Sequence, residues 1–255
     1  VPVHVVAGMR YGEPSISSAL AQLRTYGIKR IITLPLFPQY SGTTTGTIVK
    51  AVLSELHTWR EVPTLTIIRD YHDHHAYVQA LVNRIQKHLT KNSHLLISFH
   101  GIPLSYKIAG DPYESQCQKT AKLVAHTLGL NPEDWSIAYQ SRFGAQEWLR
   151  PYTEEELIRY GQEKTSQVNV VCPGFAVDCL ETLDEIAHEG AHRKGIWYNQ
   201  FKTNKVKTER MLEEFVEKYF SNLAQEKQEH SGEITAPLAS RRKTNYKLFL
   251  ALAKI

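Results

Sequence analysis

Cysteines are few and long apolar runs are absent in this sequence of 255 residues, and each scarcity excludes a class of protein. Its three cysteines, Cys117, Cys172 and Cys179, have no short paired spacing, so we expect neither a disulfide framework nor a zinc site. Three thiolates are also too few for an ordinary iron–sulfur cluster, which needs about four. No run of about 18 apolar residues occurs, so no transmembrane helix is predicted.

The beginning of the chain lacks the marks of a targeting segment. Val1-Pro-Val-His-Val-Val6 has neither a basic start nor a cleavage site, so no signal peptide is predicted. A cytoplasmic location suits the three thiols. The sequence opens on a strand-like segment and not on methionine, and we therefore expect that an upstream part is absent.

Excess charge of one sign is absent from most of the chain. The net charge is +4, and residues 202–255 account for all of it, with 11 Lys or Arg against 7 Asp or Glu. We expect no nucleic-acid partner, because phosphate binding requires a basic face on the folded body. With 42% hydrophobic residues, the chain can build one large or two ordinary domains.

Segments typical of strands and helices alternate along the sequence. We predict strands over residues 1–7, 30–36, 64–69, 94–100, 135–140 and 168–172, and helices over residues 15–26, 48–56, 77–89, 113–128 and 176–189. This alternation is typical of an α/β fold with parallel sheets.

His100 ends an apolar predicted strand, and Gly101 and Pro103 stop that strand abruptly. In open α/β sheets, the C-terminal ends of the strands form the edge at which ligands bind. An unperturbed histidine titrates near pH 6.5, so His100 can take or release a proton close to neutrality. A histidine that is hydrogen-bonded to a neighbouring loop is the structural alternative, and position alone does not decide between the two.

Three further motifs each allow a structural and a functional interpretation. Residues 41–46, Ser-Gly-Thr-Thr-Thr-Gly, favour a helix N-cap over an anion nest. Residues 70–75, Asp-Tyr-His-Asp-His-His, favour a helix cap over a metal site, because adjacent residues cannot all face one ion. Glu181, Glu185 and Glu189 share one helix face, which is either a solvated stripe or a line of carboxylates at the edge that carries His100.

Five stretches together resemble the ferrochelatases, which insert ferrous iron into a porphyrin. The first three are Gly8-Met-Arg-Tyr-Gly12, Leu34-Pro-Leu-Phe-Pro-Gln-Tyr-Ser41 and Ser98-Phe-His-Gly-Ile-Pro103. The last two are Gln140-Ser-Arg-Phe-Gly144 with Trp148, and Cys172-Pro-Gly-Phe-Ala-Val-Asp-Cys-Leu-Glu-Thr-Leu183. They occur in the family's order and span about residues 3–190, which is hard to obtain by chance.

The resemblance to bacterial ferrochelatases implies two Rossmann-like lobes, each a parallel sheet flanked by helices, with a porphyrin cleft between them. Residues 1–92 would form the N-terminal lobe, residues 93–201 the C-terminal lobe that carries the catalytic pair, and residues 202–255 a charged helical tail of uncertain role. The family's N-terminal strand, with its Asn-Leu-Gly-x-Pro segment, has no counterpart here, so the chain is expected to be truncated.

The resemblance also implies roles for named residues. His100 and Glu181 would be the central catalytic pair and bind the metal, and Glu185 and Glu189 would extend the metal path. The macrocycle and its propionates would contact the remaining predicted site residues, which are Arg10, Tyr11, Tyr40, Ser41, Gln140, Ser141 and Trp148. Ferrous iron and porphyrin would be the substrates, and no permanent cofactor would be needed because the metal leaves with the product.

Several alternatives stay open at the level of sequence. A related chelatase for cobalt or coproporphyrin, a truncated porphyrin-binding homologue without catalysis and a two-lobed periplasmic binding module are the other functional hypotheses. Either a monomer or a homodimer is compatible with the sequence. For the Lys-flanked apolar end, residues 246–255, we favour a docked terminal helix or a disordered tail over peripheral contact with an anionic membrane surface.

Overall fold

The computed structural model describes residues 4–163, 165, 167–176, 198–200 and 247–252, the last two segments for their backbone only. The predicted helix from residue 177 onward and the charged pattern of residues 202–230 lie outside these ranges. The described part contains no helix with both the length and the apolar character needed to cross a membrane.

The described residues form eight strands, six α-helices and a short 3₁₀ helix over Pro132–Asp134. The strands are β1 (Val5–Met9), β2 (Arg30–Pro35), β3 (Thr64–Ile67), β4 (His94–His100), β5 (Trp135–Gln140), β6 (Val168–Val171), β7 (Tyr198–Gln200) and β8 (Lys247–Leu252). The helices are α1 (Ile16–Thr25), α2 (Thr45–Leu56), α3 (His75–Ile85), α4 (Leu104–Ile108), α5 (Tyr113–Leu128) and α6 (Thr153–Gln162).

The strands pair in two four-stranded sheets, and every pair is parallel. The first sheet has the order β1-β8-β2-β3 and the second the order β5-β4-β6-β7. We call the first sheet with its helices the first lobe, and the second sheet with its helices the second lobe. The predicted α/β class with two parallel sheets flanked by helices is therefore confirmed.

Strand β8 contradicts the expected terminal helix or disordered tail. Residues 247–252 lie between β1 and β2, with Phe249 aligned to Val6 on one side and to Thr33 on the other. Their backbone is thus paired along both edges, in the interior of the first sheet. A short apolar run is compatible with either a strand or a helix. Here the position between β1 and β2 provides backbone partners on both sides, so residues 247–252 form a strand.

Helix α5 joins the two lobes. Its inner face carries Cys117, Ala121 and Val124 into the core of the second lobe. The helix also hydrogen-bonds to the first lobe, where Gln39 Nε2 donates to Thr120 Oγ1 at 3.0 Å and the Tyr40 amide donates to Gln116 Oε1 at 2.7 Å. These buried contacts fix the loops of the first sheet against the second lobe.

Helix α3 packs across the predicted boundary at residue 92. Its buried residues Val78, Val82 and Ile85 belong to the same core cluster as Leu95 and Ile97 of β4. The Tyr77 hydroxyl, also on α3, donates to the Pro173 carbonyl at 2.5 Å. Packing is therefore continuous between the two sheets.

Candidate functional site

A cavity of about 280 Å³ opens between the C-terminal ends of the two sheets. Parallel strands place the loops of each sheet at one edge, and a cleft between the two lobes is what the resemblance implies. Both lobes line the cavity, and its walls are mainly aromatic or apolar. The lining residues from the first lobe are Arg10, Tyr11, Phe37, Gln39, Ser41, Thr43, Thr44 and Thr47. Those from the second lobe are His100, Gly101, Ile102, Pro103, Tyr106, Tyr113, Phe143, Gln146, Trp148, Gly174 and Phe175.

His100 is the last residue of β4 and lies half-buried in this cavity. Its Nδ1 lies 2.6 Å from the Gly101 carbonyl oxygen. A carbonyl can only accept a hydrogen bond, so Nδ1 carries the proton in the neutral ring. The structure gives Nε2 no hydrogen-bond partner among the described residues, and its lone pair is therefore available as a base or a metal ligand.

Trp148 forms one side of the pocket around His100. Its ring centroid lies 6.5 Å from that of His100, and the side chain is 4% exposed. A Cβ on Gly101 would lie 3.1 Å from Trp148 Cε3 and 3.1 Å from the Gln140 carbonyl oxygen. A larger residue at position 101 would therefore push the tryptophan away from the histidine.

The loop that follows β6 also approaches His100. Strand β6 is parallel to β4, so Pro173 and Gly174 emerge at the same sheet edge as His100, as the sequence predicts. The Phe175 ring centroid lies 6.2 Å from that of His100. The metal-ligand candidates Glu181, Glu185 and Glu189 follow this loop in sequence but lie outside the described residues, so their assignment stays a prediction.

Arg10 supplies a positive charge to the first-lobe wall. Its guanidinium lies 4.6 Å from the centroid of the Tyr11 ring, and its buried Nε has no hydrogen-bond partner. No described carboxylate pairs with Arg10. Because an unpaired buried donor is costly, a ligand acceptor beside this side chain would be favourable.

Residues 41–46 start helix α2, as the N-cap interpretation predicts. Thr44 is the N-cap residue, although its side chain makes no capping hydrogen bond. The Thr44 and Gly46 amides both donate to the Ser41 carbonyl, so they are not left free for an anion. The loop instead presents threonine side chains to the cavity, from Thr43, Thr44 and Thr47.

Tyr40, Gln140 and Ser141 do not line the cavity in the part of the chain that the structure describes. The Tyr40 ring lies beneath the Arg69 guanidinium, at 4.0 Å. Gln140 is 3% exposed and accepts a hydrogen bond from the Ser98 hydroxyl at 2.8 Å. Ser141 adopts a left-handed backbone conformation with φ of 65°, directly after β5.

The acidic and histidine-rich run at residues 70–75 caps a helix, as predicted. The His74 side chain accepts a hydrogen bond from the Ala76 amide at the start of α3. His72 Nδ1 lies 2.9 Å from Asp70 Oδ1, so these side chains pair with each other. Within the described ranges, no group of three or more His, Cys, Asp or Glu residues is arranged to hold a metal ion.

Several lining residues were not predicted from the sequence, and the buried Tyr113 is one of them. It begins α5 after the turn Gly110-Asp-Pro112, and burial raises the pKa of its phenol well above the ordinary value, so it stays protonated. The turn itself is a signal that could have directed attention to this position. Phe37 and Phe175 likewise follow strands and were available as apolar residues at the ligand-binding edge.

Comparisons with known proteins agree with the resemblance in the motifs. The family model described as Ferrochelatase matches residues 1–219. A protein of Nitrosococcus oceani named ferrochelatase is 52% identical over 188 residues, which are 72% of this chain and 51% of that protein. Ferrochelatases of Thioalkalivibrio sulfidiphilus and of a Janthinobacterium strain are each 48% identical over 74% of this chain and 52% of their own length. The chain thus spans about half the length of these relatives.

Proposed function

The chain belongs to the ferrochelatase family, and we propose that its cleft binds a porphyrin and inserts ferrous iron into it, forming heme. The observation that carries this proposal is the position of His100, which has its Nδ1 occupied by the Gly101 carbonyl and lies in an aromatic cavity between the lobes.

The shape and chemistry of the cavity walls support a flat apolar ligand. Aromatic side chains approach from both lobes, with Phe37 on one side and Trp148 and Phe175 on the other. Such side chains bury large areas and stack on planar ring systems. Arg10 suits the carboxylate groups that a porphyrin carries, because a guanidinium can bind a carboxylate through two hydrogen bonds.

Porphyrin metallation requires the removal of two pyrrole protons and the delivery of a divalent cation to the four nitrogens. In the neutral tautomer fixed by Gly101, His100 Nε2 can accept one of these protons. Imidazole nitrogen also suits ferrous iron as a transient ligand. We propose that Glu181 supplies the second base and that Glu185 and Glu189 guide the hydrated ion, because carboxylates attract hard divalent cations.

Iron is in this reaction a substrate that leaves with the product, so no permanent cofactor is needed. We also propose a cytoplasmic location, which the free thiols of Cys117 and Cys172 suit. Protoporphyrin and coproporphyrin share the flat ring and the carboxylates that the cavity suits, so both belong in the test.

An anaerobic insertion assay tests the proposal. The chain, and a form extended at its N-terminus with the segment that precedes the matched region in a relative, would be given ferrous iron with protoporphyrin or coproporphyrin, and product would be followed by absorbance. We expect His100→Ala and Glu181→Gln each to abolish insertion, while His126→Ala, at the exposed end of α5, leaves it unchanged. Full turnover in either of the first two variants would contradict the proposed pair. Porphyrin binding without insertion in both unmutated forms would indicate a binding protein instead.

A further inference from the structure

We infer that Asp111 is a positioning residue, whose carboxylate holds the cavity wall of residues 41–47 against the second lobe. One oxygen, Oδ2, accepts hydrogen bonds from the Ser41 hydroxyl and from the Gly42 amide, both at 2.8 Å. We call this set of contacts the inter-lobe clamp. Ser41 and Gly42 belong to the loop before α2, and Asp111 belongs to the turn before α5, so the clamp joins the two lobes beside the cavity.

The other oxygen of Asp111 fixes the carboxylate to its own lobe. Oδ1 accepts a hydrogen bond from the Tyr113 amide at 3.0 Å, at the first residue of α5. Negative charge is favourable there because helix N-terminal amides carry partial positive charge. Gly110, with φ of 92°, makes the preceding turn, and the Asp111 amide donates to the Tyr106 carbonyl. The Asp111 carboxylate is therefore fixed within the second lobe, independently of its contacts with the first lobe.

The Ser41 hydroxyl makes all of its hydrogen bonds within this network. Its single hydroxyl proton goes to Asp111, so the Thr43 hydroxyl, 2.9 Å away, must donate to Ser41. The Thr43 amide donates to the same oxygen at 3.2 Å. The Ser41 oxygen thus has one proton donated and two lone pairs occupied, and the residue is 0% exposed. It shapes the wall of the cavity without needing a hydrogen bond from a ligand.

An asparagine cannot replace Asp111 in this geometry. The Gly42 and Tyr113 amides are obligatory donors that contact different carboxylate oxygens, whereas a carboxamide has only one oxygen. One of the two amides would therefore face the NH₂ group. If the carboxamide oxygen turns to Tyr113, the clamp is lost. If it turns to Gly42, the start of α5 loses its acceptor.

The inference rests on the proposed function, because the position of residues 41–47 affects binding only if a ligand occupies the cavity. Amide hydrogen exchange measures the clamp directly, and quenching of tryptophan fluorescence by protoporphyrin measures its effect on binding, since Trp148 lines the cavity. We expect Asp111→Asn to accelerate exchange within residues 41–47 by roughly tenfold or more and to weaken protoporphyrin binding by a similar factor. Ser41→Ala, which leaves the Gly42 contact, should have an intermediate effect on both.

One matched control accompanies these variants. Asp134→Asn makes the same change at a carboxylate that accepts from Asn131 at the far end of the second lobe, and it should match the unmutated chain in both measurements.

The outcomes separate the clamp from the proposed function. Unchanged exchange in residues 41–47 of both Asp111→Asn and Ser41→Ala would overturn the inference. Faster exchange with unchanged protoporphyrin affinity would also overturn it, because the contact would then hold nothing that binding needs. If the unmutated chain does not bind protoporphyrin at all, the proposed function fails, and faster exchange in Asp111→Asn would then support the clamp alone.

Discussion

Strand β4 carries a histidine at each end, and the two histidines differ in whether their Nε2 atom is hydrogen-bonded. At the N-terminal end, His94 Nε2 lies 2.9 Å from Ser136 Oγ and 2.8 Å from Tyr160 Oη. At the C-terminal end, only Nδ1 of His100 is bonded, to the adjacent carbonyl. His94 is thus part of a hydrogen-bonded polar cluster at one end of the strand, whereas His100 lines a cavity at the other.

Burial affects the first of these histidines in a direct way. Loss of solvent lowers the pKa of His94 below its usual value of 6.5, since a charged ring would be poorly solvated there. Its contacts with Ser136 and Tyr160 serve packing between β4, β5 and α6. The direction of the strand, and not the residue type, therefore separates a structural histidine from a candidate catalytic one.

The largest expected difference between the two ends is in catalysis. His100→Ala should lower the rate of iron insertion by about 10²- to 10⁴-fold, the usual contribution of a positioned general base. His94→Ala should leave the rate per folded molecule unchanged. Rates measured on the N-terminally extended form, normalised to the folded fraction, check this. Equal losses in the two variants would remove the distinction.

The second expected difference is in stability, and here the His94 variant should show the larger loss. His94→Ala should lower the free energy of unfolding by about 1–3 kcal/mol, because it removes the common partner of two hydroxyl groups. His100→Ala removes one hydrogen bond at a half-exposed site and should have little effect. Urea unfolding of both variants, followed by circular dichroism, measures this, and a larger loss for His100→Ala would reverse our interpretation.

A smaller effect is expected from the partner of His94. Tyr160→Phe removes the hydroxyl that contacts both His94 and Ser136 but keeps the ring, so we expect a loss of about 1 kcal/mol. The matched control is Tyr106→Phe, on half-exposed α4, where a hydroxyl is removed from a side chain that is 41% exposed. If both variants lose the same stability, the cluster has no special contribution.

The smallest effect is a pH dependence of stability that His94 should impose. Its folded pKa lies below the unfolded one, so the unfolded state binds more protons, and stability should fall as the pH falls below about 6.5 and level off below the folded pKa. Arg159 opposes protonation, while the nearby Asp134 and Glu156 favour it. Urea titrations at pH 8, 6 and 5 should show a shallower slope in His94→Gln than in the unmutated chain. Identical slopes would exclude His94 as the cause.

The segments with strong local signals could be predicted from the sequence. Residues 94–100, 113–128 and 135–140 have the predicted bounds, because long periodic or β-branched runs with Gly or Pro at their ends specify their own limits. Helix α6 was missed. Its first turn holds three glutamates, and only Thr153, Leu157 and Tyr160 are buried, so its position depends on packing against the second sheet.

The candidate site was predictable in outline but not in its side-chain contacts. The edge that carries His100, Arg10 and Phe175 follows from the rule for parallel strands. Tyr40 and Gln140 lie at the same edge, yet they point into contacts with Arg69 and Ser98, because a shift of one residue reverses the side of a strand end. The contact between Ser41 and Asp111 joins residues 70 positions apart, which no local pattern can reveal.

Strand β8 has a consequence for the order of folding. Strands β1 and β2 leave the ribosome early, but the partner that lies between them begins at Lys247, 212 residues after β2 ends at Pro35. The second lobe can complete the pairs β4–β5 and β4–β6 long before that point. The first lobe, whose strands β1 to β3 precede those of the second lobe in the chain, is thus completed last. Until then it exposes two unpaired strand edges that chaperones or aggregation can reach.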